Sequence, residues 1–207
     1  MIFQDRFQAG QKLFQELKEY QNDSEALILA IPRGGVAVAF SLSQELKLPI
    51  EITIAKKIGA CFSEELAIAA VNEEGEVVVN DSVIKDYNIS QEYFLPKLEE
   101  KKKEVQEKIL KYRKKPLINL EGKKVIIVDD GIATGATIKA VIKLVRDKKA
   151  KKLIVAVPVA SKEALEEIEK DCDQVVCLIK PDFFQAVGQF YQDFNQVTDE
   201  EVNQYLN

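Results

Sequence analysis

The sequence predicts an α/β protein in which a mostly parallel sheet carries helices on both faces. Apolar runs of strand length alternate with segments of helical periodicity along most of the chain, which is the pattern of repeated strand–helix units. The run ALILAI (26–31) is apolar at every position, and VIIV (125–128) has the same character, as expected for central strands buried on both faces. Ligands in such folds bind at the carboxyl ends of the strands.

Six elements are predicted before residue 82. In chain order they are a helix within 3–20, a strand at 26–31, a helix at 35–47 and strands at 50–55, 66–71 and 76–80. An apolar stripe that includes Phe3, Phe7 and Leu13 indicates the first helix, and Pro32 ends the first strand. We expect residues 56–65 to form a loop, with NEEG as the turn between the last two strands.

Residues 82–120 differ in character because they are highly charged and helical, with only a thin apolar stripe. Ser90 is expected to cap this helix, and Pro96 is expected to kink or restart it. We interpret the segment as a helical insertion that projects from the sheet of a single domain covering residues 1–207. A solvated linker helix is the alternative interpretation.

Strands and helices alternate again after residue 120. In chain order we predict a strand at 124–129, a helix at 136–147, a strand at 152–160, a helix capped by Ser161, a strand at 174–179 and a short helix at 198–206. Thr198 and Glu201 have the spacing of a capping box at the start of the last helix. The chain contains no internal repeat and no low-complexity block.

The composition excludes several classes of chemistry. The chain contains no histidine, which removes Ser–His–Asp triads, Cys–His pairs, histidine general bases and histidine metal sites. The cysteines number three, an odd number without zinc spacing, and are expected to be spare or buried thiols in a reducing compartment. Chemistry must therefore rest on carboxylates, cations, hydroxyls, backbone amides or a bound metal.

Charge and hydropathy restrict the partners and the location. The net charge is −5, with acids and bases mixed along the chain, and this disfavours a nucleic-acid partner. The apolar stretches are too short to span a bilayer, and the N-terminal residues lack a signal-peptide core. We therefore expect a soluble, cytoplasmic protein without a membrane partner, and a homo-oligomer is left open.

The stretch VIIVDDGIATGATIKA (125–140) joins two acids to a loop of small and hydroxyl residues. Small residues let backbone N–H groups converge, Thr134 and Thr137 add hydroxyl donors, and the following helix N-terminus adds partial positive charge. These features predict a phosphate site. Asp129 and Asp130 would repel phosphate, so we expect them to accept hydrogen bonds from vicinal ribose hydroxyls. The stretch therefore predicts a ribose 5-phosphate site.

Other interpretations of this stretch account for fewer of its residues. A Walker A loop requires Gly-Lys-Ser/Thr, and a dinucleotide fingerprint requires G-x-G-x-x-G, and both are absent here. An acidic pair could hold Mg²⁺ alone, as in receiver domains, but the threonines would then be unexplained. A purely structural strand-to-helix turn does not explain the order of acids, glycine and hydroxyls.

Residues 125–137 resemble the 5-phosphoribosyl 1-pyrophosphate (PRPP) motif of type I phosphoribosyltransferases, in which four apolar residues and two acids precede a Thr/Gly loop. The resemblance implies their Rossmann-like sheet with helices on both faces, to which we expect this chain to add a C-terminal cap segment. It implies that Asp129 and Asp130 hold the ribose hydroxyls and lie near Mg²⁺. It also implies that residues along the loop bind PRPP, namely Gly131, Ala133, Thr134, Gly135, Ala136 and Thr137.

The turn PRGG after the first strand resembles the segment with which this family binds pyrophosphate. Gly34 and Gly35 allow close backbone approach, and Arg33 offers a charged fork for phosphate oxygens. The resemblance further suggests that Lys56 or Lys57, after the second strand, reaches the pyrophosphate, although both could be ordinary surface lysines. Arg33 and the two acids are the catalytic candidates, and the two acids are the candidate metal ligands.

Further stretches, including KKIGACFSEELAIAAVNEEG and KPDFFQAVGQFYQDF, resemble a branch of this family without a settled acceptor. The aromatic segment 181–194 could cap the site and stack an acceptor ring, or it could simply be tucked into the core. Members that act on 6-oxopurines resemble one another in an acid at the position of Ala133. This difference counts against hypoxanthine or guanine, whereas adenine-type and orotate-type members also lack the acid.

The resemblance implies a glycosyltransferase of nucleotide metabolism. It would bind PRPP with Mg²⁺, transfer phosphoribose to a nitrogenous small-molecule acceptor and release pyrophosphate through an oxocarbenium-like transition state. Such a reaction needs no protein nucleophile, so a chain without histidine can catalyse it. The alternative is a non-catalytic regulatory protein that binds PRPP or a nucleotide. The acceptor cannot be identified from these motifs.

Overall fold

The computed structural model describes residues 2–113 and 115–206. The strands are β1 (Ala26–Ala30), β2 (Ile50–Ile52), β3 (Ala55–Ala60), β4 (Ser63–Asn72), β5 (Val77–Val79), β6 (Lys124–Val128), β7 (Lys152–Val159) and β8 (Gln174–Ile179). The α-helices are α1 (Arg6–Leu17), α2 (Gly34–Leu46), α3 (Asp81–Asp86), α4 (Gln91–Tyr112), α5 (Ala136–Asp147), α6 (Lys162–Ile168) and α7 (Asp199–Leu206). Short 3₁₀ turns cover Lys18–Tyr20 and Val187–Phe190.

The central sheet has five strands in the order β2-β1-β6-β7-β8, and each neighbouring pair is parallel. Alternate strand residues face different helices. Ile126 of β6 belongs to the buried cluster that contains Leu13 of α1, whereas Ile127 belongs to the cluster that contains Val141 of α5. Helices therefore cover both faces, which confirms the predicted α/β fold. The carboxyl ends of β1, β6 and β7 meet along one edge, where ligands bind in such sheets.

A second, antiparallel sheet consists of β3, β4 and β5. The predicted loop at 56–65 is wrong, because most of it forms β3 and the first residues of β4. The sequence does not indicate this strand, because Lys56 and Lys57 are two consecutive charged residues and interrupt the alternation of apolar and polar residues. Both lysines are half-buried. Their pairing with Val71 and Ala70 of the apolar strand β4 supplies the backbone hydrogen bonds that decide the structure.

Helix α4 lies against the antiparallel sheet rather than projecting from the protein. Its apolar stripe is buried at Leu98, Val105 and Tyr112, so a thin stripe is sufficient for packing against a small sheet. The predicted cap is present, because the Ser90 hydroxyl accepts a hydrogen bond from the Tyr93 N–H at 3.3 Å. The helix runs through Pro96 without a restart, since proline removes only one hydrogen-bond donor near the N-terminus. The assignment of 82–120 as an insertion stays a prediction.

The C-terminal segment crosses the sheet edge and returns to the N-terminus. Phe3 pairs with this segment through its N–H to the Phe190 carbonyl at 2.8 Å and its carbonyl to the Gln192 N–H at 2.8 Å. Helix α7 then packs on α2, where the rings of Tyr205 and Phe40 lie 4.9 Å apart. Among the helices of residues 2–113 and 115–206, none has the length and apolar character needed to cross a bilayer.

Candidate active site

The two acids lie where β6 ends, at the carboxyl edge of the central sheet. Asp129 follows Val128 directly, and its Oδ1 accepts a hydrogen bond from the backbone N–H of Asp130 at 2.8 Å. Burial, and secondarily the negative charge of Asp130, raise the pKa of Asp129 well above its ordinary value. A cation or hydroxyl donors would stabilise the charged form of this carboxylate, so the acidic pair (Asp129 and Asp130) is suited to either.

Asp130 is held by residues from both ends of the chain. The Arg6 Nε donates to Asp130 Oδ2 at 2.8 Å, and both side chains are mostly buried. The Tyr191 hydroxyl donates to the Asp130 carbonyl at 2.6 Å. Arg6 also donates to the Asn195 carbonyl at 2.8 Å and lies 3.9 Å from the centre of the Phe194 ring. Arg6 is not predictable from the sequence, because it is 124 residues from Asp130 and belongs to no motif.

The Arg-Gly-Gly turn (33–35) packs directly against the acidic pair. A β-carbon at Gly35 would lie 2.8 Å from both the Asp129 Cα and the Val128 carbonyl oxygen, and one at Gly34 would overlap the Asp130 carboxylate. Only glycine allows this approach. The peptide bond between Pro32 and Arg33 is cis, and the Arg33 guanidinium lies 3.6 Å from the Asp199 carboxylate at the start of α7. The structure therefore brings together the two motifs that the sequence suggested.

The Thr/Gly loop (131–137) leads from the acidic pair into α5. Gly135 has a φ of +76° at the position before the helix, a left-handed conformation that favours glycine. The Lys139 N–H donates to the Gly135 carbonyl at 2.9 Å and so makes the first hydrogen bond of the helix. The preceding helical N–H groups have no partner within the helix. Ala133 and Thr134, which precede these groups, are exposed, and unpaired N–H groups at a helix N-terminus are what an anion site uses.

Ser161, for which the sequence predicts only a capping role, holds the other side of this loop. Its hydroxyl donates to the Ala133 carbonyl at 2.7 Å and accepts from the Ala164 N–H at 3.2 Å. Its backbone N–H donates to the Ile132 carbonyl at 3.0 Å, while the Ile132 N–H donates to Val159 at 2.9 Å. The loop is therefore anchored to the end of β7 and to the start of α6.

A cavity of about 810 Å³ opens beside the Thr/Gly loop, within the size range of small-molecule sites. Its lining includes Thr134 and Ser161, residues of β4 and β5, and Phe184. The aromatic segment 181–194 contributes both exposed and buried rings, and its role as a cap over an acceptor stays a prediction. Phe183 is exposed and Phe184 borders the cavity, whereas Tyr191 is buried in the core.

The two candidate lysines lie in different surroundings. Lys57 pairs with Glu65 at 2.6 Å, whereas Lys56 lies 3.5 Å from Glu104 of α4. Consecutive strand residues point to opposite faces, and the charge of Lys56 reaches Lys108, whose pKa it helps to lower. Lys56 is therefore the candidate lysine whose charge, like that of Arg33, acts on Lys108 of α4.

The residues at the sheet edge are compatible with Mg²⁺. In the described part of the chain no group of three or more Cys, Asp or Glu side chains could hold a metal by itself. Mg²⁺ commonly binds through one or two carboxylates together with substrate phosphate oxygens and water. The mostly buried acidic pair beside the Thr/Gly loop supplies that smaller set of ligands, so the residues fit a metal that arrives with a phosphorylated ligand.

The fold and the site define a phosphoribosyl transferase domain. A family model with that description matches residues 2–195, and the chain belongs to this family. Two Mycobacterium tuberculosis relatives that carry the name "Putative phosphoribosyl transferase" are each 36% identical over 206 residues, which is 99% of this chain and 46% of theirs. The chain thus spans about half the length of these curated relatives.

Solved structures show the same fold. The crystal structure of TT1426 from Thermus thermophilus is 35% identical, with a TM-score of 0.82, and the match covers 100% of this chain and 98% of that one. A hypoxanthine-guanine phosphoribosyltransferase from Bacillus anthracis has a TM-score of 0.50 over 89% of this chain and 82% of its own, at 16% identity. At that identity the likeness concerns the fold alone.

Proposed function

We propose that this chain binds PRPP with Mg²⁺ and transfers the phosphoribosyl group to a nitrogenous small molecule, with release of pyrophosphate. One observation carries the proposal: the glycines of the Arg-Gly-Gly turn pack directly on Asp129 and Asp130. The contact places a cationic turn, a carboxylate pair and the Thr/Gly loop along one edge of the sheet. PRPP presents pyrophosphate, a ribose diol and a 5-phosphate in one molecule, so a single ligand could use all three features.

Each part of the site has a role in this proposal. The backbone N–H groups and hydroxyls of the Thr/Gly loop bind the 5-phosphate, and the Ser161 contact fixes the loop. The carboxylates of Asp129 and Asp130 accept hydrogen bonds from the ribose hydroxyls. Arg33 faces the pyrophosphate, with Lys56 nearby. Glycine at positions 34 and 35 keeps the turn close enough for one sugar to reach both sides.

The reaction follows from this placement of charge. A nitrogen lone pair of the acceptor forms a bond to the anomeric carbon, and the bond from that carbon to the pyrophosphate oxygen breaks, with its electron pair leaving on that oxygen. The proton of the attacking nitrogen passes to solvent. Positive charge develops on the ribose beside the acidic pair, while negative charge grows on the departing group beside Arg33. The acidic pair would also hold Mg²⁺, which supplies neutralisation of phosphate charge when bound.

The proposed acceptor class is not restricted to the purine bases. Alanine at position 133 leaves no carboxylate there to contact a base, and Ala133 is exposed at the cavity. Phe184 at the cavity border could stack on a flat ring. We therefore propose a nitrogenous base or amine, without a preference for 6-oxopurines.

The test is a pyrophosphate-release assay with PRPP and Mg²⁺ across a panel of bases and amines. Wild-type protein should release pyrophosphate with at least one acceptor, and Asp129→Asn with Asp130→Asn should abolish the release. Lys103→Gln, at an exposed position of α4, is the control that should leave the rate unchanged. Release that persists in the acid variants, or needs no acceptor, contradicts the proposal. PRPP binding without turnover for any acceptor would instead support the regulatory alternative.

A further inference from the structure

A group of basic side chains extends from the Arg-Gly-Gly turn onto helix α4. This basic cluster consists of Arg33, Lys56, Lys108 and Lys111. Arg33 and Lys111 both contact the Asp199 carboxylate, Arg33 at 3.6 Å. Lys108 lies 3.2 Å from the Tyr112 hydroxyl, which itself donates to Asp199. The predicted insertion therefore contributes two cations beside the turn for which we propose pyrophosphate binding.

The basic cluster has more positive than negative charge. Glu104 and Asp199 are the carboxylates within ion-pair distance of these four cations in the described part of the chain. Lys108 has no ion-pair partner among residues 2–113 and 115–206. Partial burial and the charges of Lys56 and Arg33 lower its pKa. An added anion would relieve this repulsion, so the cluster is suited to a multiply charged ligand.

Asp199 is the internal anion of this cluster. It begins helix α7, and its side chain is 20% exposed. Hydrogen bonds from Lys111 and Tyr112 hold its pKa below the usual range, so it is ionised at neutral pH. One oxygen accepts from Tyr112 and the other contacts Lys111. A single carboxylate thus interacts with two cations and a hydroxyl, as a terminal phosphate group could.

We propose that Lys108 and Lys111 extend the pyrophosphate site of this chain, and that Asp199 occupies the extension until pyrophosphate displaces it. The inference rests on the proposed function for the identity of the ligand. The Arg-Gly-Gly turn provides one cation, whereas pyrophosphate carries several negative charges, and α4 supplies the remaining cations. Helix α7 can stay in place during the exchange because Val202 is buried in the core and Tyr205 packs on Phe40.

The experiment measures binding of magnesium pyrophosphate by calorimetry, since the chain has no tryptophan for fluorescence. Lys108→Gln and Lys111→Gln should each weaken binding about tenfold, because each removes a charge-assisted contact. Asp199→Asn should tighten binding about fivefold, because the competing charge is lost. Lys103→Gln and Glu166→Gln make the same charge changes at exposed positions of α4 and α6 and should leave the affinity at the wild-type value.

Ribose 5-phosphate, which lacks pyrophosphate, serves as the second ligand. Its affinity should be unchanged in all of these variants and should depend on Asp129 and Asp130. Equal pyrophosphate affinity in wild type, Lys108→Gln and Lys111→Gln would overturn the inference and leave the proposed function standing. If the wild-type protein binds neither ribose 5-phosphate nor PRPP, the proposed function is overturned instead. Thermal melting of each variant identifies any that fails to fold, and Lys111→Arg should then retain pyrophosphate binding.

Discussion

Gly35→Ala should destabilise the protein, although alanine favours helices. Gly35 is the second residue of α2, where alanine would gain about 0.5–1 kcal/mol over glycine. Its β-carbon would, however, lie 2.8 Å from the Asp129 Cα and from the Val128 carbonyl oxygen, and 3.0 Å from Asp129 Oδ1. Two of these atoms are backbone at the end of a central strand, so they cannot rotate away. Overpacking costs about 1–3 kcal/mol.

At the middle of both ranges the steric cost exceeds the gain in helix propensity by about 1 kcal/mol. For a chain of 207 residues this corresponds to a fall in Tm of about 2–4 °C, measured by circular dichroism. Gly122→Ala is the control, because a β-carbon there meets no atom within 4 Å although φ is +72°. Gly122→Ala should leave ribose 5-phosphate binding intact, whereas Gly35→Ala should weaken it. A Tm for Gly35→Ala at or above the wild-type value would refute the proposed contact.

The other predictions concern the supports of the site and the cysteines. Arg6→Gln should cost about 3 kcal/mol in urea unfolding because it leaves the mostly buried Asp130 unpaired, and Asp130→Asn should recover part of that loss. Ser161→Ala removes the helix cap and the bond to Ala133, so it should cost about 1–2 kcal/mol and weaken ribose 5-phosphate binding. Burial raises the pKa of Cys172 and of Cys177 to about 11, so a thiol reagent at pH 8 should modify exposed Cys61 first.

Each of these predictions has a contrary outcome. An Arg6→Gln variant that is no less stable than wild type would show that the ion pair with Asp130 adds nothing. Unchanged ribose 5-phosphate affinity in Ser161→Ala would separate this serine from the loop it contacts. Equal modification rates for the three thiols would contradict the burial of Cys172 and Cys177.

Elements with a local pattern could be predicted closely. Helix α5 and strand β8 have the predicted bounds. The hydrophobic periodicity and the residues that end such elements lie close together in the chain, so a short stretch of sequence is sufficient to predict them. The capping box is also present, with the Thr198 N–H donating to Glu201 at 2.7 Å and the Glu201 N–H donating back at 3.1 Å. Strand β3 is not predicted, because its two consecutive lysines break the alternation of apolar and polar residues. Its conformation is decided instead by pairing with β4.

The sequence by itself determined the kinds of groups at the site. The order of acids, small residues and hydroxyls in 125–137, and the glycines after β1, are short-range patterns. Their chemistry can be inferred before any fold is known. The residues of each motif are consecutive, so they lie close together in any fold that the chain adopts. The absence of histidine also limits the chemistry without reference to structure.

Only the tertiary structure decided which side chains surround those motifs. Arg6 reaches Asp130 across 124 residues, and Asp199 reaches Arg33 and α4 from the far end of the chain. Such contacts depend on how α1, α4 and α7 pack around the sheet edge. A long charged side chain on an exposed helix looks the same in sequence whether it meets water or a carboxylate, because its partner is fixed by packing and not by its neighbours in the chain.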